Sequence, residues 1–203
     1  MGFCFVNNVM VAAAHALAAY PETIRRVAIL DFDVHHGNGT AEQTVLRNID
    51  HADSAQHDVL YLSTHQHPHY PGTGESQMVD GMMLVPSDLE RLGVVNAPIS
   101  PPGVFPFWDS SSQFREVVSD KILPALRAFE PDLLILSAGW DGHAEDPLAG
   151  LELSDEDYTW VTERSLEVAD ECCEGRVVSV LEGGYHVPAL ARCVAAHVAQ
   201  LKA

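Results

Sequence analysis

Four short apolar segments constrain the fold more than any other feature of this chain. Each has the length and composition of a buried strand and ends in a polar or glycine-rich turn. Segments with helical periodicity separate them, which is typical of a largely parallel sheet covered by helices on both faces. The Gly- and Pro-rich segment 72–109 is predicted to be irregular and to shape the mouth of a pocket. We therefore predict a three-layer α/β fold whose strands cover 26–34, 59–64, 132–137 and 177–181.

The segments between the strands predict helices. Apolar residues recur at helical spacing over 7–19 and over 113–129, and Pro124 is expected to kink the second helix or to mark its restart. Ser154 followed by Asp157 resembles a capping box that opens a further helix, and an apolar stripe near the C-terminus predicts the last one. These stripes indicate core positions rather than cofactor contacts.

The charge of the chain narrows its partners. It has 29 acidic and 11 basic residues, a formal charge of −18, which argues against direct nucleic-acid binding and favours cationic partners. Acidic residues that only keep the protein soluble are the alternative explanation. The sequence has no membrane span or secretory signal, and its four cysteines lack CxxC spacing, which suits a reducing compartment. We expect one soluble domain over 1–203 in the cytoplasm or nucleus, without membrane contact and with no prediction of oligomeric state.

Polar side chains interrupt the first predicted strand at alternate positions. Side chains two residues apart in a strand share a face, so Asp31, Asp33 and His35 line up together. Two carboxylates and an imidazole inside an apolar sheet are unfavourable unless a positive charge compensates them, and a metal ion would do so. The alternative is that this Asp and His pair caps the following turn through Gly37 and Gly39.

A third carboxylate follows another predicted strand. Ligands of parallel α/β sheets collect at the carboxyl ends of the strands, so Asp141 is expected to meet Asp33 and His35. Two oxygens and one nitrogen leave a position open for water and substrate, which is typical of a catalytic zinc, although iron(II) would also be tolerated. The alternative is that Asp141 only caps a helix.

The motif Leu181-Glu-Gly-Gly-Tyr185 follows the last predicted strand. Its two glycines let the backbone bend and place the tyrosine hydroxyl over the same rim of the sheet. A phenol there can donate a hydrogen bond to an oxyanion that develops on a metal-polarised carbonyl. A tyrosine that simply packs in a turn is the alternative.

Alternating histidines follow the second predicted strand. His65, His67 and His69 suggest a second metal cluster, but Pro68 breaks the strand geometry that would align them. His65 beside the sheet and Tyr70 in the pocket wall are therefore the favoured predictions.

Five motifs in order along nearly the whole chain resemble the histone deacetylase family, most closely its class II and bacterial acetylpolyamine amidohydrolase branch. The resemblance implies an arginase-like α/β fold and zinc-dependent hydrolysis of N-acetyl amides. The implied substrates are lysine-rich, histone-like protein tails, with a role in chromatin regulation, or acetylpolyamines. The motifs are GFC at 2–4, DFDVHHGNGT at 31–40, STH and YPGTG within 63–74, SAGWDGHAEDPLAG at 137–150, and LEGGY at 181–185.

The resemblance also implies roles for individual residues. The family's zinc ligands correspond to Asp33, His35 and Asp141, and the tyrosine that polarises the acetyl carbonyl corresponds to Tyr185. The aromatic walls of the acetyl-lysine tunnel, with the glycines expected beside the substrate, correspond to Phe3, Tyr70, Gly183 and Gly184. A monovalent cation site, commonly potassium, corresponds to Asp31, Asp33, the carbonyl of His35, Ser63 and Thr64. Asn38 stands where some members have aspartate, as in class II enzymes.

One departure from the family bears on activity. The family has a His-His pair, its general base and acid, shortly before the GFC motif, and only Met1 precedes Gly2 here. We therefore expect a chain truncated at its N-terminus, with open apolar sheet surface and a rate lowered about 10²- to 10⁴-fold. His36 and His143 lie nearby in sequence, but neither is expected to substitute. The alternative function is a non-catalytic module of the same fold that binds a metal or a partner.

Overall fold

The structure is a computed structural model that describes residues 4–51, 57–103 and 109–202. Its strands, numbered in chain order, are β1 Val27–Asp31, β2 Val59–Gln66, β3 Gln77–Val79, β4 Met82–Leu84, β5 Val94–Ile99, β6 Leu133–Ala138 and β7 Val177–Leu181. Five of them form a parallel sheet in the order β5-β2-β1-β6-β7, and β3 and β4 form a small antiparallel hairpin. The four predicted strands are thus confirmed, although the first is shorter than expected.

Seven α-helices accompany the sheet in the described part of the chain. They are α1 Asn8–Ala19, α2 Asn38–Asn48, α3 Pro86–Arg91, α4 Ser110–Val117, α5 Leu123–Phe129, α6 Asp155–Cys173 and α7 Val187–Gln200. A 3₁₀ turn covers Ile49–His51, and a π-helical turn, Val118–Ile122, connects α4 with α5. None of the described helices is long and apolar enough to cross a membrane.

Two hydrophobic cores lie on opposite faces of the sheet. Val27 and Ile29 of β1 belong to a core with α1, α2 and α3, whereas Ala28 and Leu30 belong to a core with α4 to α7. All five residues of β1 are buried because helices cover both faces of this central strand. The three-layer α/β architecture predicted from the sequence is therefore confirmed.

The predicted helix signals are also confirmed in detail. Ser154 accepts a hydrogen bond from the backbone of Asp157, and the Asp157 carboxylate accepts one from the Ser154 N–H, which is a complete capping box. The helix predicted over 113–129 restarts as α5 at Leu123, directly before Pro124. Because proline offers no N–H to the preceding turn, the backbone widens into the π-helical turn and begins again as α5.

The prediction that segment 72–109 is irregular is wrong. Its described part contains the β3–β4 hairpin, α3 and the edge strand β5. Strand β5 was not predicted because Asn96 and Pro98 interrupt its apolar pattern. At the edge of a sheet, a proline without an N–H is tolerated.

Helix α2 was not predicted either. It begins directly after the polar turn that follows β1, and Ala41 and Val45 are its buried apolar residues. Such a narrow apolar stripe gives little periodic signal.

The opposite edge strand of the sheet, β7, differs from the inner strands because Val178 and Leu181 are 44% and 60% exposed.

Two buried histidines lie beside the sheet. His65 in β2 is fully buried, and a Cβ at Gly74 would overlap its Nε2, so the ring fills its space completely. His36 is buried next to it, with ring centroids 4.8 Å apart. Burial lowers the pKa of His65 to about 3 and that of His36 to about 4. Both rings are therefore neutral at physiological pH.

We predict that the burial of neutral His65 makes stability fall on acidification. The unfolded chain protonates this histidine near pH 6.5 whereas the folded protein does not, so its contribution is lost as the pH falls below 6.5. The stability difference between wild type and His65→Asn should shrink by about 2 kcal/mol between pH 7.5 and 5 in urea denaturation. The exposed His15→Asn is the control, and a difference for His65→Asn that stays constant with pH would contradict the prediction.

Candidate metal centre

Three ligand-type side chains meet where β1 and β6 end. Asp33 and His35 follow β1, Asp141 follows β6, and their ligand atoms all lie within 4.8 Å of one another. Nδ1 of His35 lies 3.1 Å from Oδ1 of Asp33 and 3.0 Å from Oδ2 of Asp141. The structure therefore brings together the three residues that the sequence predicted to converge.

Backbone N–H groups orient both carboxylates. Oδ2 of Asp33 accepts a hydrogen bond from the N–H of Gly183 at 2.9 Å, and its Oδ1 accepts one from the N–H of His35 at 2.8 Å. Oδ1 of Asp141 accepts one from the N–H of Val34 at 3.0 Å. One oxygen of Asp141 is thus fixed by the chain, and its other oxygen is turned towards His35.

Two glycines allow the backbone to approach these carboxylates. A Cβ at Gly183 would overlap Oδ2 of Asp141 and lie 2.6 Å from Oδ2 of Asp33. A Cβ at Gly139 would overlap Oδ2 of Asp33. Any larger residue would displace a carboxylate, so both positions require glycine for a steric reason.

The electrostatics of the centre favour a bound cation. Oδ2 of Asp141 is completely buried and lies 3.0 Å from Nδ1 of His35. Burial raises the pKa of Asp141 to about 6, and hydrogen bonds to Asp141 and Asp33 raise the pKa of His35 to about 10. Protonated His35 therefore supplies the positive charge in the metal-free protein. A divalent cation fits the same position, because it would bind the carboxylate oxygens that face His35 and replace that proton.

A cavity of about 950 Å³ opens over the centre. It is lined by Asp31, Asp33 and His35 at its floor and by Tyr70 and Tyr185 at its sides, and no lysine or arginine is among its described lining residues. Glu182, which the sequence analysis left without a role, adds another carboxylate to the lining and accepts a hydrogen bond from Ser137 at 3.2 Å. The cavity is therefore strongly acidic.

Tyr185 is 41% exposed and lies on the loop between β7 and α7. Burial and the charges of Asp141 and Asp33 raise the pKa of its hydroxyl to about 12. The phenol is therefore protonated at neutral pH and available as a hydrogen-bond donor. Gly183 lines the same cavity, whereas Gly184 adopts φ +135°, a conformation that favours glycine.

Tyr70 and a neighbouring histidine form one wall of the cavity. The Tyr70 ring lies edge-on to His35 with centroids 6.2 Å apart, and the His69 ring stacks on His35 at 5.1 Å. His69 was not predicted as a wall residue, because the alternating histidines of this segment suggest a metal cluster instead. Its position next to Tyr70 was the available signal. The other predicted wall residue, Phe3, lies outside the described residues.

The residues predicted for a monovalent cation are arranged around Asp31. This buried carboxylate accepts a hydrogen bond from the Tyr61 hydroxyl at 2.7 Å, and burial raises its pKa well above the usual value. Ser63 lies directly opposite Asp31 in the sheet register and is fully buried. The next residue, Thr64, is almost fully buried. Asn38 begins α2, where its carbonyl accepts a hydrogen bond from Gln77.

The two histidines considered as substitutes are engaged elsewhere. Nδ1 of His36 lies 2.7 Å from the Thr73 hydroxyl. His143 accepts a hydrogen bond from a backbone N–H at Nδ1, and its Nε2 lies 2.8 Å from Asp155. His143, Asp155 and Cys193 form a second group of ligand-type side chains. Arg192 already pairs with Asp155 at 2.8 Å and supplies the positive charge there, so this group is a hydrogen-bonded ion cluster.

Fold and site together define a three-layer α/β protein with a centre of two carboxylates and one imidazole at the carboxyl edge of its sheet. The sequence profile of the histone deacetylase domain matches residues 1–201. The chain belongs to the histone deacetylase family, a family of deacetylase-type hydrolases.

Individual relatives agree with this assignment. Histone deacetylase 10, chloroplastic, of Oryza sativa subsp. japonica is 39% identical over 96% of this chain and 39% of its own length. The histone deacetylase-like amidohydrolase of Pseudomonas aeruginosa is 36% identical over 91% of this chain and 43% of its own. The crystal structure of the HDA15 HD domain superposes with a TM-score of 0.76 and 32% identity, covering all of this chain and 52% of the other. The chain thus spans about half the length of these relatives, or less.

We predict that Gly183→Ala disrupts the centre. The added methyl group would push the two carboxylates apart, so the affinity for a divalent cation should fall about 10- to 100-fold. Competition with a chromophoric chelator measures this affinity. Gly39→Ala in α2 is the matched control, since a Cβ there meets nothing within 4 Å. Equal affinities of the two variants would show that the Gly183 contact does not matter.

We also predict that metal uptake releases a proton. His35 is protonated in the metal-free protein because its pKa is about 10, and a ligand histidine must be neutral. Metal affinity should therefore fall about tenfold per pH unit between pH 8 and 7, and more steeply below about 6, where Asp141 also protonates. Calorimetry in buffers of different ionisation enthalpy should find about one proton released at pH 7.5. No proton release would contradict the proposed ligand.

Proposed function

We propose that this chain carries the catalytic centre of a zinc-dependent deacetylase that acts on N-acetyl-lysine side chains or on acetylpolyamines. The observation that supports this most directly is the convergence of the ligand atoms of Asp33, His35 and Asp141 within 4.8 Å of one another, with Tyr185 lining the cavity above them. The chain spans about half the length of its relatives, so their activity is proposed for this chain and not transferred to it as a fact.

The donor set suits zinc, and iron(II) would also be accepted. Asp33, His35 and Asp141 would hold the ion, because one nitrogen and two carboxylate oxygens leave a position open, as in catalytic rather than structural zinc sites. A zinc ion bound there would supply Lewis-acid chemistry, polarising an amide carbonyl and lowering the pKa of a water molecule.

Tyr185 would stabilise the oxygen of the acetyl group. Its raised pKa keeps the proton on the hydroxyl, so the phenol can donate a hydrogen bond to the carbonyl oxygen and, more strongly, to the oxyanion that follows. The bend at Gly183 and Gly184 brings the tyrosine to the cavity that contains Asp33 and His35. This donor would act mainly on the transition state.

The cavity wall would hold the chain that carries the acetyl group. Tyr70 and His69 present aromatic rings beside His35, where they would exclude water from a methylene chain. We assign Phe3 to the opposite wall, as the resemblance implies. The acidic lining favours a cationic substrate, such as a lysine-rich tail or a polyamine, over a nucleic acid.

We further assign a potassium ion to the neighbourhood of Asp31. The alignment of Asp31 with Ser63 in adjacent strands places a carboxylate and a hydroxyl side by side, which are hard oxygen donors. The Thr64 backbone and the carbonyls that follow β1 would complete this set. Such an ion would also offset the negative charge below the zinc position.

The proposal predicts turnover that depends on the centre and on Tyr185. The zinc-loaded protein should hydrolyse an acetyl-lysine peptide or N-acetylspermidine, and Asp141→Asn should abolish this activity. Tyr185→Phe should lower kcat about 10²- to 10³-fold and change KM little, because the hydrogen bond strengthens in the transition state. A fluorogenic assay measures turnover of the acetyl-lysine peptide, and chromatographic detection of the released amine measures turnover of N-acetylspermidine.

The exposed His15→Asn is the control that should retain full turnover. Equal rates of wild type and Asp141→Asn would contradict catalysis at this centre. If both show no turnover but wild type still binds zinc stoichiometrically, the non-catalytic metal-binding function of this chain is supported instead.

A further inference from the structure

The loop that carries Tyr185 is held by a carboxylate from another loop. Oδ2 of Asp146 accepts hydrogen bonds from the backbone N–H groups of Tyr185 at 2.6 Å and of His186 at 3.1 Å. Its Oδ1 accepts one from the N–H of Leu148 at 3.0 Å. Asp146 is only 7% exposed, so a buried carboxylate makes three bonds to backbone groups. Hydrogen bonds of this charged kind are about twice as strong as neutral ones.

We propose that Asp146 is a positioning residue, which fixes Tyr185 relative to the metal centre. This inference rests on the role proposed for Tyr185. Asp146 does not touch a substrate in this scheme, since it acts on the backbone of the residue that does.

The local need for such a carboxylate is clear at the start of α7. His186 occupies the N-cap position, and its side chain makes no capping hydrogen bond. The first N–H groups of a helix need acceptors, and the helix dipole favours a negative charge there. Asp146 places a carboxylate next to this helix start and accepts a hydrogen bond from the N–H of the N-cap residue itself. Its two hydrogen bonds therefore fix the backbone of Tyr185 and His186 directly before the helix begins.

The residue directly before Tyr185 gives this loop conformational freedom. Gly184 precedes the tyrosine at φ +135°, a region where the backbone of most residues is strained but glycine moves freely. A Cβ at Gly184 would also lie 2.8 Å from Leu190. Gly184 therefore allows the turn but does not restrict the backbone conformation there. The backbone N–H groups of the two residues directly after Gly184 both donate to Asp146.

The loop of Asp146 is joined to the metal centre through a short hydrogen-bonded turn. Asp146 lies five residues after Asp141, its N–H donates to the carbonyl of His143 within that turn, and the N–H of Ala144 donates to the carbonyl of Leu153. Arg192 of α7 pairs with Glu145, the neighbour of Asp146, and with Asp155 at the start of α6. The segment that carries a proposed metal ligand thus directly holds the backbone of Tyr185. This link fixes the spacing between the two groups that must act on one carbonyl oxygen.

A solely structural role for Asp146 would lower stability without a specific effect on Tyr185, and a double-mutant cycle separates the two. Asp146→Asn keeps the shape of the side chain and one acceptor oxygen but loses the charge. In the zinc-loaded chain, we expect it to lower kcat about 10- to 100-fold and to change KM less than about threefold. In a Tyr185→Phe background, the same substitution should have less than about a threefold effect. An equal loss in both backgrounds would overturn the proposal.

Glu145→Gln is the matched control. It changes a neighbouring carboxylate that pairs with Arg192 and lies 3.5 Å from Nδ1 of His186, whereas the backbone N–H groups of Tyr185 and His186 bond to Asp146. It should therefore leave the ratio between the two backgrounds unchanged. Thermal unfolding of all variants identifies losses that come from stability alone.

A second measurement decides the proposal even without turnover. Fluorotyrosine placed at position 185 should give one narrow ¹⁹F resonance in wild type and in Glu145→Gln, and a broadened or divided one in Asp146→Asn. Identical spectra for wild type and Asp146→Asn would overturn the positioning role, whatever the activity. A changed spectrum with no turnover in wild type would instead contradict the proposed function and leave the positional link supported.

Discussion

The parallel register between β1 and β6 is the constraint on which the centre depends. Asp31 lies opposite Ser137, and the N–H of Phe32 donates to the carbonyl of Ser137 at 3.1 Å just beyond the ladder. The two chains therefore leave the sheet side by side, and Asp33 and Asp141 emerge a few residues later at the same rim. A shift of one residue in this pairing would turn every side chain to the opposite face and separate the two carboxylates.

This arrangement concentrates negative charge inside the protein. The carboxylates of Asp33 and Asp141 contact the imidazole of His35, and those of Asp31 and Glu182 line the same cavity. The chain's overall charge of −18 offers no general compensation. The structure responds in two ways. Backbone N–H groups bind three of the carboxylate oxygens in the centre, and the proton on His35 balances part of the charge. Both responses orient the ligand atoms before any metal arrives, which reduces the reorganisation that binding requires.

The features that the sequence predicted are those with a strong local signal. The polar residues at alternate positions at the end of β1 and directly after it conflict with the apolar pattern of a buried strand, so they identified the centre. The capping box at Ser154 identified the start of α6. The features it missed are set by tertiary contacts. Strand β5 is interrupted by Asn96 and Pro98 and owes its place to pairing with β2, and α2 has too few apolar residues for a clear period. His69 joins the cavity wall only because the loop after β2 folds back over His35.

The position of Tyr185 relative to the proposed metal ligands follows from backbone contacts that its sequence motif alone does not reveal. A tyrosine after two glycines is a weak signal, since most such residues simply pack in a turn. In the structure, the N–H of Gly183 binds Asp33, its carbonyl accepts from Trp140, and Asp146 holds the two residues that follow Gly184. Strand ends β1, β6 and β7 are therefore joined by backbone hydrogen bonds through one short loop. The same glycine that leaves room for the carboxylates also starts the turn that delivers the tyrosine, so ligand spacing and donor position change together if that loop moves.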